Sequence, residues 1–127
     1  MPHPPTSAIQ SYRDLRVWEL AMDLVVLSYR VSKFFPKEER YGLTAQLRRA
    51  AVSIPSNIAE GHGRKHLGDY LHQLSVANGS LMELETQIEI ARRLNYMRPA
   101  DEETLRRQAA NVGRMLAGLF AALKRRR

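Results

Sequence analysis

YGLTAQLRRAAVSIPSNIAEG, running from Tyr41 to Gly61, is the stretch on which the reading of this chain turns. Leu43, Leu47, Ala50, Ala51, Ile54 and Ile58 recur at three- and four-residue steps. They therefore share one face of a helix and leave Arg48, Arg49, Ser56, Asn57 and Glu60 off that stripe. Pro55 interrupts the run, because it removes the N–H that would bond the Ala51 carbonyl and its ring crowds that turn. Either one helix stops near Ser53 and another starts with Pro55 in its first position, or a single helix continues with a kink. The stripe keeps its phase from Ile54 to Ile58, which favours the kink.

Toward the N-terminus, a helix is expected from about Arg13 to Phe34, with Ser11 or Asp14 near its start. It carries two apolar seams. One is Leu15, Trp18, Met22, Val25 and Tyr29; the other is Val17, Leu20, Leu24, Leu27, Val31 and Phe34. At 100° per residue they lie on nearly opposite sides, with Glu19, Asp23, Arg30 and Lys33 between them. One core uses one face, so the second seam needs another cover. That cover is either another subunit, which makes Val17, Leu20, Leu24, Leu27 and Val31 an oligomer interface, or neighbouring helices of the same chain. Phe34-Phe35-Pro36 stops the helix, since the residue before proline is pushed out of the helical region.

Toward the C-terminus, Gly61 and Gly63 break the central helix. A third helix runs from about Leu67 to Leu94, with Leu67, Tyr70 or Leu71, Leu74, Ala77, Leu81, Leu84, Ile88 and Ala91 inward. Gly79 in its middle costs about 1 kcal/mol relative to alanine, and close approach of a neighbouring backbone is a use that would offset it. Asn95 to Ala100 connects to a fourth helix whose first turn holds Asp101, Glu102 and Glu103, where the macrodipole favours negative charge. Its stripe is Leu105, Ala109, Val112, Leu116, Leu119, Phe120 and Leu123. Four long helices with short connections and no alternating strand pattern predict an all-α, antiparallel up-down-up-down bundle.

The stretch ERYGLTAQLRRAAVSIPSNIAEG, with RDLRVWELAMDL before it and NGSLMELETQIEIARRL after it, resembles the family of small four-helix-bundle proteins encoded by 23S ribosomal RNA intervening sequences. That family is similar in turn to the accessory variability proteins of diversity-generating retroelements. The resemblance covers about Arg13 to Leu123, and SIPSNIAEG at Ser53 to Gly61 is its most specific part. It implies a homopentameric ring or barrel of four-helix protomers that binds nucleic acid and, in the retroelement branch, a reverse transcriptase.

The chain has 127 residues, enough for one domain with a single core. Residues 1–12 read as a flexible N-terminal tail, 13–123 as the bundle and 124–127 as a basic C-terminal tail. No run of about 18 apolar residues offers a membrane span. There is no cysteine, which excludes disulfides, thiolate metal sites and cysteine nucleophiles and makes a reducing cytoplasm the natural compartment. The net charge is +7, and Arg98 to Arg127 holds eight basic against three acidic residues. Such an excess favours polyanionic partners, nucleic acid first. Its carriers are Arg48 and Arg49 on the central helix, Arg64 and Lys65 in the turn, Arg106, Arg107 and Arg114 on the fourth helix, and Lys124, Arg125, Arg126 and Arg127 at the end. No aromatic residues interleave with them as single-strand stacking platforms require, and no base-reading motif is present, so the expected binding is mostly phosphate-directed, salt-sensitive and weakly sequence-selective.

Other chemistry finds little support. His62, His66 and Asp69 have ligand-like spacing only on a continuous helix, and the glycines beside them favour a surface turn instead. Glu83, Glu85 and Glu89 lack the histidine partners of a di-iron bundle. Pro55, Asn57 and Glu60 read as structural, with the two polar side chains serving backbone groups at the proline break or tying helices together. The function expected is a non-enzymatic, oligomeric module for structured RNA or an RNA–DNA hybrid, without cofactor or metal, accessory in one branch to a reverse transcriptase. The alternative is a scaffold that uses the basic surface to hold an acidic protein partner.

Overall fold

A computed structural model describes residues 10–126. Four helices, α1 (Arg16–Ser32), α2 (Leu43–His62), α3 (Leu67–Arg93) and α4 (Pro99–Lys124), are accompanied by 3₁₀ turns at Tyr12–Asp14 and Lys37–Glu39. No strand occurs among the described residues. α1 packs on α2 and α4, and α3 packs on the same two helices. Short links between successive helices make neighbours antiparallel, which gives the four-helix bundle.

α2 passes through Pro55 as one helix, with Pro55 itself buried. Its entire apolar stripe is buried. Around the proline, Asn57 Nδ2 donates to Ser53 O at 2.8 Å and to Ser53 Oγ at 2.9 Å. Ser53 Oγ in turn pairs with Ser80 Oγ of α3 at 2.8 Å. Gly61, near the helix end, brings α2 against Tyr70 and Gln73 of α3. Glu60 does not join this network and instead meets Arg64 on the surface.

The start of α2 and the end of α3 are closed by contacts from the adjoining links. Gly42 offers α2 no capping side chain, and Glu39 Oε1 accepts the Leu43 N–H at 3.1 Å in its place. The other oxygen of Glu39 accepts from the Tyr96 hydroxyl at 2.9 Å, joining the α1–α2 link to the α3–α4 link. That hydrogen bond is also the main reason the Tyr96 phenol titrates above its ordinary value, with burial adding to it. α3 ends on Asn95 in the left-handed conformation (φ 61°), with Tyr96 N–H reaching back to Ala91 O at 2.9 Å and Asn95 N–H to Arg92 O at 3.0 Å. This is the paired closure that a left-handed residue after a helix permits.

Two expectations are corrected. Val17, Leu24 and Val31, expected at an oligomer interface, are buried in the protomer's own core, where Leu24 is 0% exposed. Leu20 and Leu27 pack at its margin, while Phe34 of the same seam is exposed; of the opposite seam Leu15 is buried and Met22 and Tyr29 are exposed. The cause lies in Ala21 and Ser28, both fully buried. Small residues at these steps let α1 approach its neighbours along the line Val17, Ala21, Leu24, Ser28 and Val31, and Ser28 satisfies its hydroxyl on Leu24 O at 2.7 Å. The second correction concerns ends. Ser11 and Tyr12, assigned to the tail, form a capped 3₁₀ turn, with Ser11 Oγ accepting from Arg13 N–H and Asp14 carboxylate from Ser11 N–H. The Tyr12 ring lies edge-on to Trp18 at 5.3 Å between centroids. Lys124 belongs to α4, and residues 1–9 and Arg127 lie outside the described residues.

Candidate nucleic-acid interface

The basic residues named from the sequence divide among three places. Arg48 and Arg49 lie on α2 beside α1 and line an open groove of about 600 Å³ with Tyr29, Arg40, Tyr41, Thr44, Val52 and Ser53 among its walls. Arg64 and Lys65 lie in the link between α2 and α3. The C-terminal end of α4 comes to the same end of the bundle, because Arg126 is near enough to Tyr70, in the first turn of α3, for its charge to act on that phenol. Burial raises the Tyr70 pKa and the Arg126 charge works against that rise. Arg106, Arg107 and Arg114 are strung along the exposed side of α4.

Ion pairing separates these groups further. Arg64 meets Glu60 at 2.6 Å, with both side chains about half exposed, and Arg106 meets Glu102 at 2.9 Å. Arg114 is engaged with the Asn111 side chain. Surface pairs of this kind contribute little to stability, yet they lower the net field near those guanidinium groups. Lys65, Lys124, Arg125 and Arg126 are exposed and form no ion pair among the described residues. With Arg64 they make one end of the bundle strongly positive, Asp69 being the acidic residue of the α3 first turn there.

The groove holds what the sequence reading missed. Arg48 donates from Nε to Ser32 Oγ at 2.8 Å and from Nη2 to Tyr29 O at 3.3 Å. Its guanidinium carbon stands 4.6 Å from the Tyr29 ring centroid, and that of Arg40 stands 5.4 Å from Tyr41. The aromatic partner of Arg48 thus comes from α1 and is brought to it by the fold, whereas Tyr41 is the chain neighbour of Arg40. The adjacent pair Arg40-Tyr41 is a signal visible in the sequence, whereas the spacing of Tyr29 points it to the core seam of α1 and the structure leaves it exposed.

His62 stands edge-on to the Tyr70 ring at 5.9 Å, and no group of three histidine or acidic side chains able to hold a metal forms among the described residues. No helix of the described residues is long and apolar enough to cross a membrane.

None of the curated proteins matches the sequence. A solved structure of a protein of unknown function from the S23 ribosomal protein family of Bacteroides thetaiotaomicron superposes with a TM-score of 0.77 at 21% identity, covering 83% of this chain and 95% of that one. At that identity it supports the fold. The family model described as 23S rRNA-intervening sequence protein matches residues 13–118, which span most of the chain and all but the end of the bundle, and the chain therefore belongs to the 23S rRNA-intervening sequence protein family.

Proposed function

We propose that the protein is a non-enzymatic, oligomeric module that binds structured RNA or an RNA–DNA hybrid through phosphate contacts. The observation that carries this reading is the positive end of the bundle, where Lys65, Lys124, Arg125 and Arg126 stand exposed and unpaired among the described residues beside Arg64. Lysine and arginine that neutralise phosphates release counterions, so affinity falls steeply with salt and carries little sequence preference. The family's association with ribosomal RNA supports the same direction. A reverse transcriptase is the protein partner that the retroelement resemblance implies.

Retention of a labelled structured RNA, measured across a salt series, tests the proposal. Replacing Lys124, Arg125 and Arg126 together with serine should weaken binding to every RNA tried and lower the salt slope by about 0.7–0.9 for each phosphate no longer neutralised. An unchanged slope removes this end from the interface. If the wild type fails to bind at low salt, the reading fails and a scaffold for an acidic protein partner replaces it.

Assembly belongs to the same proposal, with five subunits the number the family resemblance implies. The core position of Leu24 moves the expected contact elsewhere, and the outer face of α3, with Val76, Met82 and Ile90 exposed, is the apolar surface that supports it best. Met82→Glu should lower the mass seen by light scattering while leaving helicity intact. A wild type of monomeric mass overturns the assembly.

A further inference from the structure

The groove between α1 and α2 has features that attraction to phosphates alone does not require. Tyr41 is 86% exposed, so its ring contributes almost nothing to the core. Tyr29, across the groove, is also exposed, and Arg48 lies over it with its guanidinium held by Ser32 Oγ and Tyr29 O. No carboxylate is among the residues lining the groove, and Arg40, Arg48 and Arg49 form no ion pair among the described residues.

We propose that this groove is a stacking site for an unpaired nucleobase, where a single-stranded segment of nucleic acid is held. The inference rests on the nucleic-acid reading above and gives it a second kind of contact. A base stacks on an aromatic ring or on a guanidinium plane whatever its identity. The Tyr29–Arg48 pair offers such a surface already fixed by two hydrogen bonds, so little freedom is lost when a base arrives. Tyr41 offers a second ring on the open side. Arg40 and Arg49, free of ion-pair partners among the described residues, suit the flanking phosphates. The groove's volume of about 600 Å³ falls within the range of sites that hold small organic ligands. A duplex keeps its bases stacked on one another and has no such base to offer.

Fluorescence anisotropy with an oligouridylate, an oligothymidylate and an RNA duplex of equal phosphate number separates the possibilities. Tyr41→Ala, at an exposed position, should weaken single-strand binding about 5- to 150-fold, the range that alanine substitution at base-stacking aromatics gives. Duplex binding should change little, and Tyr41→Phe, which keeps the ring, should bind as the wild type does. A greater loss on the oligouridylate or on the oligothymidylate identifies RNA or DNA as the source of the strand, and either supports the site. Unchanged single-strand affinity in Tyr41→Ala, with wild-type binding intact, overturns the inference alone. Equal losses on strand and duplex also overturn it, since they show a charge effect without stacking. A change in oligomeric mass on the same substitution overturns it in favour of contact between copies. Failure of the wild type to bind any of the three probes overturns both this site and the nucleic-acid reading.

Discussion

Gly61 and Gly79 are both glycines within helices, and they mark opposite conditions. A Cβ at Gly61 would stand 2.9 Å from Gln73 Cβ and 3.0 Å from Tyr70 Cδ1, whereas one at Gly79 would meet nothing within 4 Å. Gly61 is therefore fixed by the seam between α2 and α3, because Gln73 Cβ moves only with the α3 backbone. Gly79 lies on the outer face of α3, where its own chain makes no use of the missing side chain. The same helix shows the contrast in its large residues, with Leu84 on the inner face at 0% exposure and Met82 on the outer face at 60%. A seam and a surface can thus carry equally unusual residues for unrelated reasons.

Truncation should separate the two faces most strongly. Leu84→Ala is expected to cost about 2–5 kcal/mol by urea denaturation, while Met82→Ala in a monomeric sample stays within about 0.5 kcal/mol of wild type. Similar losses at the two positions would break the contrast. Gly61→Ala comes next, with a loss of about 1–3 kcal/mol as α2 and α3 are forced apart. An alanine there without cost would show that the seam can relax. Gly79→Ala should do the reverse and stabilise by about 1 kcal/mol, through helix propensity alone. A fall in stability or in assembled mass would instead reveal a second molecule close to that backbone.

The smallest effect belongs to charge on α3. Hydrogen bonds from Arg92 and Arg93 hold the Glu89 carboxyl down to about 2, against an ordinary value of 4.5. A carboxylate with a lowered folded pKa contributes stability above its unfolded pKa and loses that contribution as pH falls from about 4.5 through about 2. The cluster faces solvent, so 1 M salt should move the Glu89 pKa upward in an NMR titration. A salt-independent pKa would mean that this part of α3 is covered.

The sequence made the inner surfaces of three helices legible and failed at the fourth. Every apolar residue of the α2 stripe is buried, as are Leu71, Leu74, Ala77, Leu81, Leu84, Ile88 and Ala91 of α3. In α2 one stripe has no rival, and in α3 the inner stripe outnumbers the outer Val76, Met82 and Ile90. α1 has two, and weighing large side chains alone hides the small ones, Ala21 and Ser28, that decide which side can come close. The basic end was legible as a charge excess, though pairing of Arg64 with Glu60 and of Arg106 with Glu102 was beyond a reading by residue type. The aromatic partners of Arg48 and Arg40 were illegible as a group because Tyr29 and Arg48 are 19 positions apart and meet only when α1 packs on α2.

Trp18 is the one tryptophan of the chain, and its edge-on contact with Tyr12 has an optical consequence. Trp18 also packs against the bundle core, and its emission should respond in addition to the docking of the 3₁₀ turn at Tyr12–Asp14, a segment of three residues without a buried side chain of its own. Such a turn can detach at a free energy well below that of global unfolding. Tryptophan fluorescence should therefore change earlier in a denaturant titration than far-ultraviolet circular dichroism, which follows the four helices together. Two non-coincident curves would then signify an undocked N-terminus on an intact bundle, and a Tyr12→Ala variant should bring them back into register.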